Sequence, residues 1–108
     1  MEQERDVEKY LTAQAKKIGG LSYKWTCPGQ DGVPDRIIIM PGGHVYFVEL
    51  KTYQGRLSQI QKHQINKIRE KGAAVYILYG KKGVDCFIED IKGDMNEIKT
   101  TRLSEESF

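Results

Sequence analysis

An acidic residue and a lysine two positions apart close an apolar run, VYFVELK, at residues 45–51. A carboxylate and an ammonium are costly to bury unless they are paired or have a task. The same spacing recurs at Asp90 and Lys92 and in the polar segment 97–99. Side chains two apart share a face on a strand but diverge on a helix. Only Glu49 and Lys51 fall on a predicted buried strand, so we expect this pair to point at one spot.

A second carboxylate, on Asp35, is predicted to meet this pair across a hairpin. The stretches DRIIIM and HVYFVELK are strand-like, and the PGG between them is typical of a turn. If that loop closes symmetrically, Met40 pairs with His44, and Asp35 then lies opposite Glu49. Opposed residues have Cβ atoms about 4.5–5.5 Å apart, and two carboxylates at that range repel unless a cation lies between them. A one-residue change of register would remove this pairing.

Such a pair of carboxylates is typical of a divalent metal site. Mg²⁺ is usually held by few protein oxygens, with water and phosphate completing its shell. Asp35, Glu49 and the backbone carbonyl of Leu50 could supply three oxygens. Lys51 would then stand beside the metal, where it could orient a water or stabilise phosphate charge. The alternative is a sheet-edge ion pair of Glu49 and Lys51, with Asp35 only closing the GVPD turn.

Two helical residues could complete the site. Glu8 lies at the edge of the apolar stripe of the first predicted helix, three residues before Leu11 and seven before Ala15, so it could lean over the sheet. Its alternative role is that of a solvated helix charge. Gln61 lies on the apolar stripe of the second predicted helix and needs hydrogen-bond partners. It also fits a capping box with Ser58, which would satisfy backbone donors instead.

Four further residues, Tyr53, Arg56, Lys81 and Lys82, are less distinctive in the sequence. Tyr53 follows the strand in a polar loop and could stack on a base or merely pack. Arg56, in the same loop, could bind phosphate or be solvated. Lys81 and Lys82 are either ordinary surface residues or phosphate contacts.

The elements that would position these residues follow the order helix, strand, hairpin, helix, strand, helix. Hydrophobic spacing predicts helices in DVEKYLTAQAKKIGG, LSQIQKHQINKIREKG and VDCFIEDIKG, each ended by glycine. The alternation in LSYKWTC predicts a half-buried strand, with Leu21, Tyr23, Trp25 and Cys27 on one face. The continuous apolar run AAVYILY predicts a central strand covered on both faces. Together these elements predict an α/β fold, a mixed sheet flanked by helices.

Length and composition set further expectations. The 108 residues predict one domain, with a core at about 7–92 and a polar tail at 94–108. A net charge of +2 does not fit a protein that coats nucleic acid, but it does not exclude nucleic acid, because a basic rim can surround an acidic metal site. Cys27 and Cys86 stand apart from any Cys/His cluster, which argues against zinc and a disulfide scaffold. No apolar run approaches the roughly 20 residues of a membrane span, and the N-terminus lacks a signal-peptide core. We therefore expect a cytoplasmic protein without a membrane partner.

The motifs together resemble a known family. The resemblance to the VRR-NUC family, within the PD-(D/E)xK nuclease superfamily, extends from about Glu8 to about Ile91. The residues that carry it are Gly32-x-Pro34-Asp35, Glu49-x-Lys51, Leu57-Ser58, Gln61, and Gly72 before an apolar strand. PD…ExK alone is degenerate, and the extended pattern is much more specific. One departure is Gln59-Ile60, where many members have Pro-Glu.

The resemblance implies a restriction-endonuclease-like fold with an αβββαβ core and metal-dependent cleavage of DNA phosphodiesters. By position, Asp35 and Glu49 would be metal ligands and Lys51 the catalytic lysine. Gln61 would match the helix glutamine that supports the site, and Glu8 the first-helix acid near the metal, acting through water. Small standalone members resemble phage or bacterial enzymes, which are associated with homodimers and with four-way junctions.

The sequence thus predicts a Mg²⁺- or Mn²⁺-dependent DNA endonuclease that acts on branched DNA as a homodimer in a bacterial or phage-infected cell. Whether one or two metals act stays open. Three alternatives remain at this point: a non-catalytic DNA-binding module on the same fold, a nuclease for flaps, and a nuclease for RNA.

Overall fold

The computed structural model describes residues 2–105, with side chains described as far as Asp94. Seven elements follow one another in the predicted order, and the predicted α/β class is confirmed. They are α1 (Glu4–Lys17), β1 (Leu21–Lys24), β2 (Arg36–Met40), β3 (His44–Lys51), α2 (Gln59–Glu70), β4 (Ala74–Tyr79) and α3 (Gly80–Glu105).

The four strands form one mixed sheet in the order β1-β2-β3-β4. β1, β2 and β3 pair antiparallel, and β4 pairs parallel to β3 after the α2 crossover. The hairpin turn closes as predicted, because Met40 pairs with His44 and the Gly43 N–H donates to the Met40 carbonyl at 3.0 Å. The turn needs glycine, since Gly42 and Gly43 adopt φ values of +96° and +84°. The register that the site depends on is therefore present.

Helices cover the two faces of the sheet unequally. α1 and α3 pack side by side on one face, and α2 packs on β4 on the other. The core lies between the sheet and the α1–α3 pair, and it includes Val7, Leu11, Ile38, Val48, Leu50, Val84, Phe87 and Ile91. Two tyrosines of the sheet fasten α3, because the Tyr46 hydroxyl donates to Asp94 and the Tyr76 hydroxyl donates to Asp90, both at 2.8 Å.

Two strand predictions need correction. β4 is covered on both faces as predicted, by α2 and α3, but it lies at the edge of the sheet and not in its centre. β1 ends at Lys24, before the predicted Cys27, and its apolar side chains are not the buried ones. Leu21 and Tyr23 are exposed because α1 packs on the opposite side of β1, where Ser22 lies. Alternation identifies the residues that share a face, but it does not tell which face a helix will cover.

α3 is longer than predicted at both ends. It begins at Gly80 and continues past Gly93, which was expected to end it. A glycine inside a helix costs only about 1 kcal/mol relative to alanine, and buried Val84, Phe87, Ile88 and Ile91 hold the helix on the sheet. The segment 97–99 lies in the part of α3 whose side chains are not described. Within residues 2–105, no helix is both long and apolar enough to cross a membrane.

One surface of the sheet carries two rows of large apolar side chains. Leu21, Ile39 and Val45 form one row across β1, β2 and β3, and Tyr23, Ile37 and Phe47 form the next. We call these six residues the outer sheet face. Leu21, Tyr23 and Val45 are 43–55% exposed, so this surface is apolar and open to solvent.

Candidate active site

Asp35 and Glu49 meet at the end of the hairpin, one residue beyond the pair Arg36–Val48. The Asp35 backbone continues the sheet, because its carbonyl accepts a 2.7 Å hydrogen bond from the Trp25 N–H. Its carboxylate Oδ2 accepts a 3.1 Å hydrogen bond from the Leu50 N–H. The two carboxylates are close enough to interact, since the charge of Asp35 is one of the causes that raise the pKa of Glu49.

The Glu49 side chain is a buried acid with one unpartnered oxygen. The residue is 1% exposed. Oε2 accepts a hydrogen bond from Gln61 Nε2 at 3.2 Å and lies 3.5 Å from Lys51 Nζ. Oε1 is buried and has no hydrogen-bond partner within the described chain. A buried lone pair of this kind is costly unless something binds it.

The surroundings of Glu49 also disfavour its charged form. Burial and the Asp35 carboxylate raise the pKa of Glu49 to about 7, against the opposing effect of Lys51. Lys51 alone therefore does not neutralise two neighbouring carboxylates. A further cation at Glu49 Oε1 would remove both the repulsion and the unpartnered oxygen. The residues present thus fit a divalent metal.

The donor set limits what the protein itself can give to a metal. Among the residues with described side chains, no cluster of three or more His, Cys, Asp or Glu could hold a metal ion. Two carboxylates and a backbone carbonyl, each giving one oxygen, would leave half of a six-coordinate shell to water or phosphate. Mg²⁺ tolerates this arrangement, because it keeps several waters and is bound through one or two carboxylates.

Gln61 fulfils both roles that its sequence position allows. Its N–H donates to Ser58 Oγ at 3.2 Å, and its Oε1 accepts from the Ser58 N–H at 2.9 Å, which completes the capping box. The remaining amide donor, Nε2, is the group that holds Glu49. A helix cap and a site contact therefore share one side chain.

The loop that carries Asp35 packs directly on the start of α2. Gly32 has φ +88°, and a Cβ there would lie 2.8 Å from the Ile60 carbonyl oxygen. Pro34 is completely buried beside it. Glycine thus permits a close approach that fixes the Asp35 loop against the helix bearing Gln61.

Helix α1 carries two acids, Glu4 and Glu8, near the candidate site. Glu8 lies 3.5 Å from Arg36 Nη1 and is engaged in that ion pair. Glu4, one turn earlier, interacts electrostatically with the site. Partial desolvation and the charge of Asp35 raise the Glu4 pKa, while Lys51 lowers it and Glu8 raises it. Glu4 precedes Val7 and Leu11 by the same three and seven residues that singled out Glu8 in the sequence.

The candidate DNA contacts lie around the end of β3. Tyr53 and Arg56 are exposed in the loop after β3 and line a cavity there. The Tyr53 hydroxyl accepts a 3.4 Å hydrogen bond from the Lys82 N–H. The exposed Lys81 places its Nζ 5.6 Å from the centre of the Tyr10 ring.

Comparisons with known proteins agree with one another. The model of the family described as "VRR-NUC domain" matches residues 9–82. "Putative nuclease p44" of Acyrthosiphon pisum secondary endosymbiont phage 1 is 36% identical over 75 residues, which are 69% of this chain and 81% of that protein.

Two solved structures are similar in fold. A "VRR_NUC domain" superposes with a TM-score of 0.76 at 33% identity, covering 80% of this chain and 94% of that one. A "VRR_NUC domain protein" has a TM-score of 0.69 at 19% identity, covering 83% and 88% of the two chains. The family match spans the hairpin, the paired carboxylates, Lys51 and Gln61, and the chain belongs to the VRR-NUC family of nuclease domains.

Proposed function

We propose that the protein is a Mg²⁺- or Mn²⁺-dependent DNA endonuclease that hydrolyses phosphodiester bonds. The observation that carries the proposal is the buried, unpartnered Oε1 of Glu49 beside Asp35 and Lys51. In a structural ion pair, buried lone pairs are normally satisfied by protein donors. Membership of a nuclease family supplies the class of reaction.

The chain would hold the metal through a small set of oxygens. Asp35 and Glu49 would bind through their carboxylates, Leu50 through its backbone carbonyl, and an acid of α1 through water. Of the two α1 acids, Glu4 is the better candidate, because Glu8 is paired with Arg36. When bound, the metal would supply Lewis-acid stabilisation of phosphate charge and lower the pKa of water.

Lys51 and Gln61 have distinct tasks in this proposal. The Lys51 ammonium is mostly buried beside Glu49, so its charge is weakly screened and can stabilise negative charge on a phosphate. Gln61 is a positioning residue, because its Nε2 holds Glu49 Oε2 and leaves Oε1 directed elsewhere. Both side chains are fixed by regular elements, which reduces the reorganisation needed when a substrate binds.

We further propose a homodimer that acts on branched DNA, such as a four-way junction. Two symmetric copies could cut two strands of a branch point, which one small domain cannot do at once. The outer sheet face supports self-association, since its six residues are all apolar and three are exposed. A two-fold axis would place this uncharged surface against itself without burying an unpaired charge.

A cleavage panel tests the nuclease directly. Four-way junction, flap, single-stranded DNA, plain duplex and RNA would each be incubated with Mg²⁺, Mn²⁺ or EDTA. We expect metal-dependent cutting that is strongest on the junction. Lys51→Ala and Glu49→Gln should each lower the rate by about a hundredfold or more. Glu89→Gln, which makes the same chemical change at an exposed position on α3, is the matched control.

Other outcomes would replace the proposal. Preferential cutting of flaps or RNA would redirect the substrate and leave the chemistry intact. Absence of cutting in either metal, together with no calorimetric Mn²⁺ binding, would indicate a non-catalytic DNA-binding module. Mn²⁺ binding that survives Glu49→Ala would contradict the assigned metal site.

A further inference from the structure

A cavity of about 620 Å³ lies immediately beyond Lys51. The loop after β3, residues 53–57, forms one wall, and Lys62 of α2 and Tyr79 of β4 form the others. This volume lies within the roughly 300–1,000 Å³ that is usual for sites that bind small molecules or cofactors. The cavity is thus large enough for one nucleotide.

The cavity is contiguous with the candidate active site. Tyr79 is the β4 residue that pairs with Lys51 in the parallel register. Neighbouring strands lie about 4.8 Å apart, and paired residues point to the same side. Gly55 packs onto the lysine, because a Cβ there would lie 3.3 Å from Lys51 Cβ and Cδ. Two residues of the cavity wall, Gly55 and Tyr79, are thus neighbours of the lysine that would face the phosphate.

The charged residues that line the cavity are all basic. Arg56 and Lys62 contribute two cations, and none of the seven lining residues is acidic. Both side chains are exposed, so they can reach a flexible backbone. An uncompensated pair of cations beside a phosphate-processing centre is suited to a flanking phosphate.

Tyr79 offers a surface for a base. It is 38% exposed at the cavity wall, and its side chain has no aromatic or hydrogen-bonding partner in the described part of the chain. Tyr53 also lines the cavity and is 55% exposed, but its ring and hydroxyl already make contacts of their own. Its ring packs on Gly80, where a Cβ would lie 2.5 Å from it, and its hydroxyl accepts from Lys82. Tyr79 is thus the ring available for stacking.

We propose that this cavity binds the nucleotide next to the scissile phosphate, with its base stacked on Tyr79 and its flanking phosphate held by Arg56 and Lys62. This inference rests on the proposed nuclease function. Stacking accepts every base, because each has a π-face. The site would therefore position the strand without selecting its sequence.

The test is a binding assay that separates base from phosphate contacts. Glu49→Gln protein would be titrated by fluorescence anisotropy against labelled single-stranded and junction DNA with Ca²⁺. Tyr79→Ala should weaken binding by about five- to a hundredfold, whereas Tyr79→Trp should retain it. An abasic site scanned along the strand should weaken binding by the parent at one position, where Tyr79→Ala should have no further effect.

The phosphate contacts are tested by salt dependence. Lys62→Ala should reduce the slope of log affinity against log salt by about one. Lys67→Ala makes the same change on α2 away from the cavity and should leave the slope unchanged. Both variants keep the inference testable if Tyr79→Ala fails to fold.

The outcomes separate this inference from the function beneath it. If the parent cuts DNA but Tyr79→Ala binds the intact strand as tightly as the parent does, the cavity is not the nucleotide site and the nuclease assignment stands. If the parent neither binds nor cuts DNA, both proposals are wrong.

Discussion

At the scale of single residues, the fold holds the Glu49 carboxylate where its charged form is disfavoured. Its folded-state pKa of about 7 lies above the ordinary value of 4.5. For a raised pKa, the stabilising contribution is complete below the unfolded-state value and is lost as pH rises through the folded-state value. The metal-free protein should therefore lose stability between about pH 5 and pH 7.

Urea unfolding in EDTA would measure this effect. The free energy of unfolding should fall by up to about 3 kcal/mol across that interval, because one pKa unit corresponds to about 1.4 kcal/mol. Glu49→Gln should remove most of the fall, and Glu89→Gln should not. An identical pH profile for the parent and Glu49→Gln would show that this acid is not destabilised in the fold.

Gln61 allows capping and catalysis to be separated. Gln61→Glu should preserve the capping box, since Glu suits that position, but it places a carboxylate against Glu49. We expect a folded protein whose cleavage rate is reduced by about tenfold or more. Ser58→Ala should cost about 1 kcal/mol of stability while leaving the Gln61–Glu49 contact and the rate nearly intact. Equal losses of rate in both variants would reduce Gln61 to a cap.

The sequence predicts which strand residues lie together at the site, but it does not predict which acid of α1 lies nearest to them. The proximity of Asp35, Glu49 and Lys51 was predictable, because strand geometry fixes which side chains share a face. Glu4 and Glu8 satisfy the same helical spacing, so periodicity could not choose between them. The choice depends on where α1 crosses the end of the sheet and on the Arg36 side chain that binds Glu8, and both are tertiary features.

A paired substitution tests that choice. Glu4→Gln should lower the cleavage rate by about tenfold or more, as loss of a group that orients the metal shell does. Glu8→Gln should affect the rate less, because its partner is Arg36. Metal titration of both variants by calorimetry would check the cause. A larger loss in Glu8→Gln would restore it as the α1 acid.

At the scale of elements, the turn of the hairpin was predictable from the sequence. The position of a strand in the sheet, and the face that a helix covers, were not. The hairpin register followed from a three-residue loop and two alternating strands, and it was confirmed. The edge position of β4 and the exposed side of β1 were predicted wrongly, because they depend on which helices pack on which face. Nothing in the local pattern of LSYK states that α1 covers Ser22 and leaves Tyr23 in solvent.

The contact of the Asp35 loop with α2 gives a prediction at this scale. Gly32 and Gly29 both have positive φ, but only Gly32 has a close neighbour. Gly29→Ala should cost about 1 kcal/mol from backbone strain alone. Gly32→Ala should cost about 1–2 kcal/mol more, since it must also displace the Ile60 carbonyl. Chemical unfolding of both variants measures the difference, and equal costs would mean that the loop contact contributes nothing.

At the scale of the whole molecule, the placement of charged residues matters more than the net charge. The net charge is only +2, so attraction of DNA would depend on the placement of cations near the site. Arg56 and Lys62 lie there without acidic neighbours in the cavity wall. The outer sheet face, by contrast, contains no charged residue and offers a surface suited to a second copy.

The dimer is tested by adding a charge to that surface. Val45→Lys should produce a folded monomer, because a two-fold interface would bury the new charge twice. Ile60→Lys, at an exposed apolar position on α2, is the matched control and should remain dimeric. Sedimentation velocity at micromolar concentration, with and without DNA, reports the result. A parent protein that sediments as a monomer in both conditions would contradict the dimer.

Trp25, the single tryptophan of the sequence, lies at the junction of the outer sheet face and the candidate active site. Its ring centre is 4.9 Å from that of Phe47, and its backbone N–H bonds to the Asp35 carbonyl. The protein thus contains a natural fluorophore between its two proposed functional surfaces. Its emission spectrum and its quenching by iodide can follow metal loading at Asp35 and subunit contact at Phe47 without any introduced label.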